Sequence, residues 1–281
     1  MRSGAWLVAV RCATVVVAVA WWSGAARAGP PYLTDDPVPV DLGQGEFYLY
    51  ATGDWGSDVR NVSFPAAEFN YGAWVDTQLH LSVPIAHSAP DGGPDHHGIG
   101  DLELGVKYRL IHESDTWPQV AVFPMLTLPT GDARNGLGNG RAWWRLPLWL
   151  QKSWGPWTSY GGGGYVINRA EGQRSFAFGG WLLQRDLNEK WTLGGEVYAR
   201  GADIADGRGS TTFNLGGAYR FSPAFNLLFS AGHSVAGEHH AMAYLGLWWG
   251  FGGDSGARPP DDRAIPPPVQ AGEVSRLPKR P

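Results

Sequence analysis

The stretch GIGDLELGVKYRL, residues 98–110, puts Leu102, Leu104, Val106, Tyr108 and Leu110 on alternate positions, with Asp101, Glu103, Gly105, Lys107 and Arg109 between them. Successive side chains of a β-strand point to opposite faces, so strict alternation is the mark of a strand. The stretch therefore has one apolar face and one charged face. On a soluble sheet the apolar row faces a core and the charges face water. In a membrane-spanning barrel the same row faces lipid and the charges face the lumen. One strand fits both surroundings, and the rest of the chain decides between them.

Residues 1–28 read as a secretory signal: Arg2 and Arg11, the short apolar stretch VVVAVAWW, and an A-x-A cleavage site at Ala26-Arg27-Ala28. Cys12, the one cysteine, lies within it, so a mature chain from Gly29 has no disulfide. The chain has 22 basic and 26 acidic residues, and loss of Arg2, Arg11 and Arg27 leaves 19 against 26. An acidic chain of this kind argues against a nucleic-acid partner. No apolar run after residue 28 reaches the length of a spanning helix, which excludes an α-helical membrane protein but not a barrel.

Proline-rich residues 29–44 form a periplasmic lead-in to the first strand, and residues 253–281, rich in Pro, Gly and charge, form a disordered tail. Between them twelve strands are expected, near 45–54, 63–72, 77–86, 100–111, 118–129, 141–153, 157–167, 174–186, 190–201, 210–221, 224–234 and 240–251. Proline and glycine blur the alternation in the fifth to eighth of these.

The connections alternate in character. GAWVDT, HESDTWP, SWGPW, LNEK and SPA are short and flanked by aromatics, whereas HSAPDGGPDHHG, GDARNGLGNG, NRAEGQ, ADIADGRGS and VAGEHH are mostly longer and polar. Tight turns at one end and longer loops at the other are the pattern of an outer-membrane barrel. Tyr71, Trp74, Tyr108, Trp117, Trp154, Trp157, Trp191, Phe221, Phe225 and Phe251 gather beside the short turns, where an aromatic girdle belongs. Leu245, Leu247, Trp249 and Phe251 alternate along the last strand, resembling the C-terminal signal read by the outer-membrane assembly machinery. The expected fold is all-β: an antiparallel transmembrane barrel of about twelve strands over residues 45–252, in contact with outer-membrane lipid.

TDDPVPVDLGQGEFYLY, GIGDLELGVKYRL and PMLTLPTGDARNGLGNG together resemble the family named for a putative MetA-pathway of phenol degradation, from about Pro30 to Phe251. The resemblance implies an outer-membrane barrel of transporter type, passing small, aromatic or apolar molecules. The tail after Phe251 departs from the family pattern.

With the apolar row on lipid, Glu68, His80, Asp101, Glu103, Lys107, Arg109, Arg145, Glu196, Arg200 and Arg220 turn inward. They form either a selective constriction of opposed charges or a salt-bridged filling that closes a small barrel. Tyr48, Tyr50, Trp143, Trp149, Trp181, Tyr198, Tyr244 and Trp248 are expected inside too, as space-filling or as the lining of a path.

Metal and cofactor sites are not expected. His96 and His97 with Asp91 and Asp95, and His239 and His240 with Glu238, fall on two outer loops with no ligand spacing motif. Asp132, Asn135 and Asn139 read as turn chemistry. No catalytic residues are assigned. His233 and Ser234 are strand neighbours on opposite faces, and no G-x-S-x-G is present. The function read from the sequence is a channel or transporter of small solutes. The alternatives are a closed barrel that anchors through its tail and, further off, a lipid-modifying barrel enzyme.

Overall fold

The computed structural model describes residues 31–56 and 59–252. The expected signal sequence and C-terminal tail lie outside the described residues. Fourteen strand segments follow the chain: β1 Gly45–Gly56, β2 Val59–Trp74, β3 Thr77–Pro90, β4 His96–Ile99, β5 Leu102–Ile111, β6 Gln119–Val122, β7 Met125–Leu128, β8 Trp143–Trp154, β9 Trp157–Ile167, β10 Phe176–Asp186, β11 Trp191–Arg200, β12 Ser210–Ser222, β13 Phe225–Gly237 and β14 His240–Phe251. Every pairing in the sheet is antiparallel, and β1 pairs with both β2 and β14, which closes the ring.

Two pairs of segments are halves of single wall strands. β3 pairs with β4 along its second half and with β5 along its first, and β6 and β7 both lie between β5 and β8. The wall is thus a closed barrel of twelve antiparallel strands. The break between β6 and β7 falls at Phe123-Pro124, where proline has no N–H for the ladder. Hydrogen bonds from Val106 to the Pro124 carbonyl and from Phe123 to the Pro147 carbonyl carry the wall across it.

A closed ring leaves no unpaired strand edge, which is the condition for β-structure in hydrocarbon. The side chains sort accordingly. Leu104, Val106, Tyr108 and Leu110 are exposed on the outer surface, while Lys107 and Arg109 are buried. Outward aromatics run in contact around the short-turn end: Trp191 to Tyr219, Tyr219 along β12 to Phe221, Phe221 to Phe225, Phe225 to Trp249, and Phe69 to Phe251, with centroids 4.7–5.8 Å apart. Inside, Phe123, Met125, Trp149, Val166, Phe178 and Tyr198 pack as one cluster and Tyr48, Leu228 and Trp248 as another. No helix among the described residues is long and apolar enough to cross a membrane.

One inward assignment is reversed. Trp181 is 58% exposed and faces outward, lying over Gly161 and donating to Ser159 Oγ at 2.9 Å. Apolar Phe178 and Leu182 hold the inner face of β10, so both faces of this strand are apolar and its parity was not readable.

Candidate functional site

Residues 31–40 were expected to lead into the first strand from the periplasm; they make their hydrogen bonds inside the barrel. Glu196, 1% exposed at the middle of β11, accepts the backbone N–H of Leu33 at 2.9 Å and of Thr34 at 2.8 Å, and the Asn214 amide at 2.6 Å. The Arg145 guanidinium donates to the Leu33 carbonyl, the Gln119 amide donates to the Pro37 carbonyl, and the Val40 N–H donates to Gln78. Ser230 donates to the Pro31 carbonyl. Gly180 makes room for this segment, since a Cβ there would stand 2.1 Å from Thr34 Oγ1. The segment crosses the lumen from β13 to β3 and narrows it.

The ten charged residues read from the sequence separate into distinct groups. Lys107 pairs with Asp35 at 3.2 Å and Asp36 at 3.6 Å on the inserted segment, and its ammonium lies over the Phe123 ring. Glu196 and Arg145 hold the segment as described, and Arg145 also reaches the Tyr198 hydroxyl and covers the Phe178 ring.

Arg109 and Arg220 sit at the short-turn end. Arg109 bonds Asp76, a turn residue at φ 57°, and Arg220 bonds Asp186 at 3.0 Å. Burial pushes the Asp76 carboxyl up, but hydrogen bonds from Arg109 and His112 outweigh it and hold the group below the usual carboxylate range. Arg200, at the long-loop end, pairs with Asp203 and with Glu238 at 3.6 Å. Glu68, His80 and Glu103 come together, His80 lying 3.6 Å from Glu68 and 3.4 Å from Glu103.

Asp101 has a different task. Its carboxylate accepts the N–H of Gly131 at 2.9 Å and of Asn139 at 2.6 Å, which draws residues 129–142 inward over the barrel mouth. Gly138 packs so close to this carboxylate that a Cβ would lie 2.3 Å from Asp101 Oδ1. The glycines of GLGNG are the reason the loop folds in. Asp132 caps the short helical turn Ala133–Asn135 within it.

Beside this loop, which contributes Leu137 and Asn139 to its wall, lies a cavity of about 550 Å³ lined also by Tyr50, Trp143, Phe176, Ser82 and Glu103. Tyr50 stacks on Tyr244 at 5.5 Å and shares a hydrogen bond with Ser82 at 2.8 Å.

Of the histidines expected on outer loops, His239 lies in one, between β13 and β14, and the other three stand at the starts of strands. His96 and His97 lie on β4, not in a loop, with His97 stacked on His87 at 5.9 Å. His240 opens β14, its Nδ1 3.1 Å from Asp54 Oδ1 and its Nε2 3.3 Å from Thr212 Oγ1. Sequence reasoning missed this hydroxyl–imidazole–carboxylate line, which spans three strands far apart in the chain. Thr212 is 1% exposed, so the line ties β12, β14 and β1 together without giving a substrate access to the hydroxyl. Among the described residues no three His, Cys, Asp or Glu side chains are grouped to hold a metal ion.

A closed antiparallel ring with an apolar exterior, an outward aromatic girdle and a polar, charged interior defines an outer-membrane β-barrel. Residues 44–251 match the family described as "Putative MetA-pathway of phenol degradation", and the chain belongs to that family. No curated protein matches it. Among solved structures it resembles an outer membrane channel from Pseudomonas putida F1, at 16% identity and a TM-score of 0.65, over 77% of this chain and 98% of that one. It also resembles the translocator domain of the autotransporter NalP from Neisseria meningitidis, at 12% identity and a TM-score of 0.51, over 75% and 89% of the two chains. The NanC porin is similar at 8% identity and a TM-score of 0.50, over 72% and 98%. Barrels with different tasks share this architecture, so these likenesses establish the fold.

Proposed function

We propose that the protein is a channel that passes small, aromatic or apolar solutes across the outer membrane. The cavity of about 550 Å³ behind the inward-folded loop carries this reading. Its volume is that of a small-molecule site, and its walls set Tyr50, Trp143 and Phe176 among polar and charged side chains, a lining that suits a compact ring-bearing solute with a polar substituent. The family's description names phenol degradation, and one barrel of similar fold is an outer membrane channel. Both support a solute-passing role. The alternating apolar row of β14, ending at Phe251, would be read by the assembly machinery on the way to the membrane.

The inserted segment favours a second reading, a barrel that is closed at rest. Purified protein reconstituted in liposomes, with phenol-sized aromatic and equally small saturated solutes supplied outside, separates the two. Solute entry above that of protein-free liposomes is the expected result. Entry no faster than in those liposomes, with no ion conductance in planar bilayers, would establish the closed barrel instead.

A further inference from the structure

The inward-facing cations are spent on the protein itself. Lys107 is taken by Asp35 and Asp36, Arg109 by Asp76, Arg200 by Asp203 and Glu238, and Arg220 by Asp186. Arg145 is the exception: it is held by the Leu33 carbonyl, the Tyr198 hydroxyl and the Phe178 ring, which are all neutral, so it keeps its charge beside the inserted segment.

The inward acids of β1, β2 and β5 are not matched in this way. Glu46 accepts from the Tyr48 hydroxyl at 2.8 Å, Glu68 from the Asn70 amide at 2.8 Å and Glu103 from Thr127 at 3.4 Å. Among the described residues, the basic group at ion-pair distance from Glu68 and Glu103 is a single imidazole, His80. One proton on that ring cannot neutralise two carboxylates. The His80 side chain is 6% exposed, and its Nε2 points toward Glu103 without a hydrogen-bond partner. Yet a quarter of each carboxylate side chain, 25% for Glu68 and 26% for Glu103, still reaches open space.

The register sets these acids along one path. Glu103 pairs across to Ser82, Ser82 to Glu68 and Glu68 to Tyr48, while Glu46 lies two residues nearer the short-turn end. Glu103 also lines the cavity, beside Tyr50 and Trp143, whose ring faces attract a cation. A positive solute in the cavity therefore meets aromatic side chains and the carboxylates of Asp101, Glu103 and Asp203 together, the Arg200 cation there being paired with Asp203 and Glu238. An anion meets the same carboxylates as groups of its own sign, and inside a low-dielectric wall that repulsion is strong.

We infer that the open passage of this barrel selects cations over anions, and that an aromatic or apolar solute carrying a protonated amine is its preferred class. This rests on the channel reading and deepens it. The sequence shows lumen charges of both signs with no preference; in the folded chain Lys107, Arg109, Arg200 and Arg220 are paired with acids, which tips the balance of the passage toward negative charge.

The test is the reversal potential of the full-length protein in planar bilayers under a KCl gradient. The expected result is a potential of cation-selective sign, collapsing toward zero in Glu68→Gln/Glu103→Gln. Glu189→Gln, in an exposed turn, should keep the wild-type potential. Heat-modifiable gel mobility verifies that each variant has folded. Conductance with a potential of zero or of anion-selective sign would overturn the inference and leave the channel reading standing. A wild-type protein that folds but conducts nothing would overturn both.

Discussion

At the scale of the residue, the decisive contrast lies between neighbours. Leu104 is 42% exposed on the outer face near mid-height, and Glu103 faces the interior against Thr127 and His80. An arginine on the lipid face near mid-membrane costs about 2–4 kcal/mol, a large part of the stability of an ordinary fold. Leu104→Arg should therefore fail to assemble, or lose its heat-modifiable band at lower temperature. Glu103→Leu removes a charge from the passage and leaves the lipid face intact, so it should fold and lower cation selectivity. Outer-membrane fractions of the two variants on unheated gels decide it, and the opposite pattern would reverse inside and outside. Which way a side chain points was legible wherever one face of a strand is polar. Trp181 shows the limit, because apolar residues on both faces of β10 leave the period without a sign. What each inward charge pairs with was not legible, because Lys107 with Asp35 and His240 with Asp54 join residues far apart in the chain.

At the scale of the element, alternation located the long strands within a few residues, and β9 and β14 matched their expected limits. The strand interrupted at Phe123-Pro124 was expected whole, since that break leaves the overall period intact, whereas β4, just ahead of the expected start at residue 100, was read as part of the polar loop before it. The inserted segment was out of reach for a different reason. Residues 31–40 have no period, and proline-rich polar sequence reads the same whether it lies in solvent or inside a barrel. A trace of it exists: Glu196 stands in the centre of an inward row, and a buried carboxylate needs donors. In this structure the donors are the Leu33 and Thr34 N–H groups, along with Asn214. Hydrogen bonds to a charged group contribute about 1.5–3 kcal/mol each. Glu196→Ala removes the acceptor for both backbone groups while β11 keeps its ladder to β10 and β12. The variant should fold, and its segment should leave the lumen for part of the time. Single-channel recordings would then show larger or more frequent openings than wild type, and unchanged recordings would mean that the segment is held chiefly elsewhere.

At the scale of the whole molecule, the fold is a ring, and what completes a ring can be named. β14 bonds β13 on one side and β1 on the other, and the second register runs from Gly45–Phe251 to Gly56–His240. Every residue of β14 is thus part of the closure, whereas the pairing ends at Phe251. Without that closure β1 and β13 would each present a row of unpaired N–H and C=O groups to hydrocarbon, at several kcal/mol for each group left unsatisfied. Two truncations should therefore behave as opposites. A chain ending at Gly252 keeps the whole seam, and should retain heat-modifiable mobility and the conductance of the full-length protein. A chain ending at Ala243 loses most of β14, and should be degraded or recovered unfolded. Membrane fractions run with and without heating, followed by bilayer recordings on the shorter cut alone, test both. If the chain ending at Gly252 folds and conducts as before, the residues beyond it act on something other than the barrel. If it fails to fold, closure requires more of the chain than the paired strands supply.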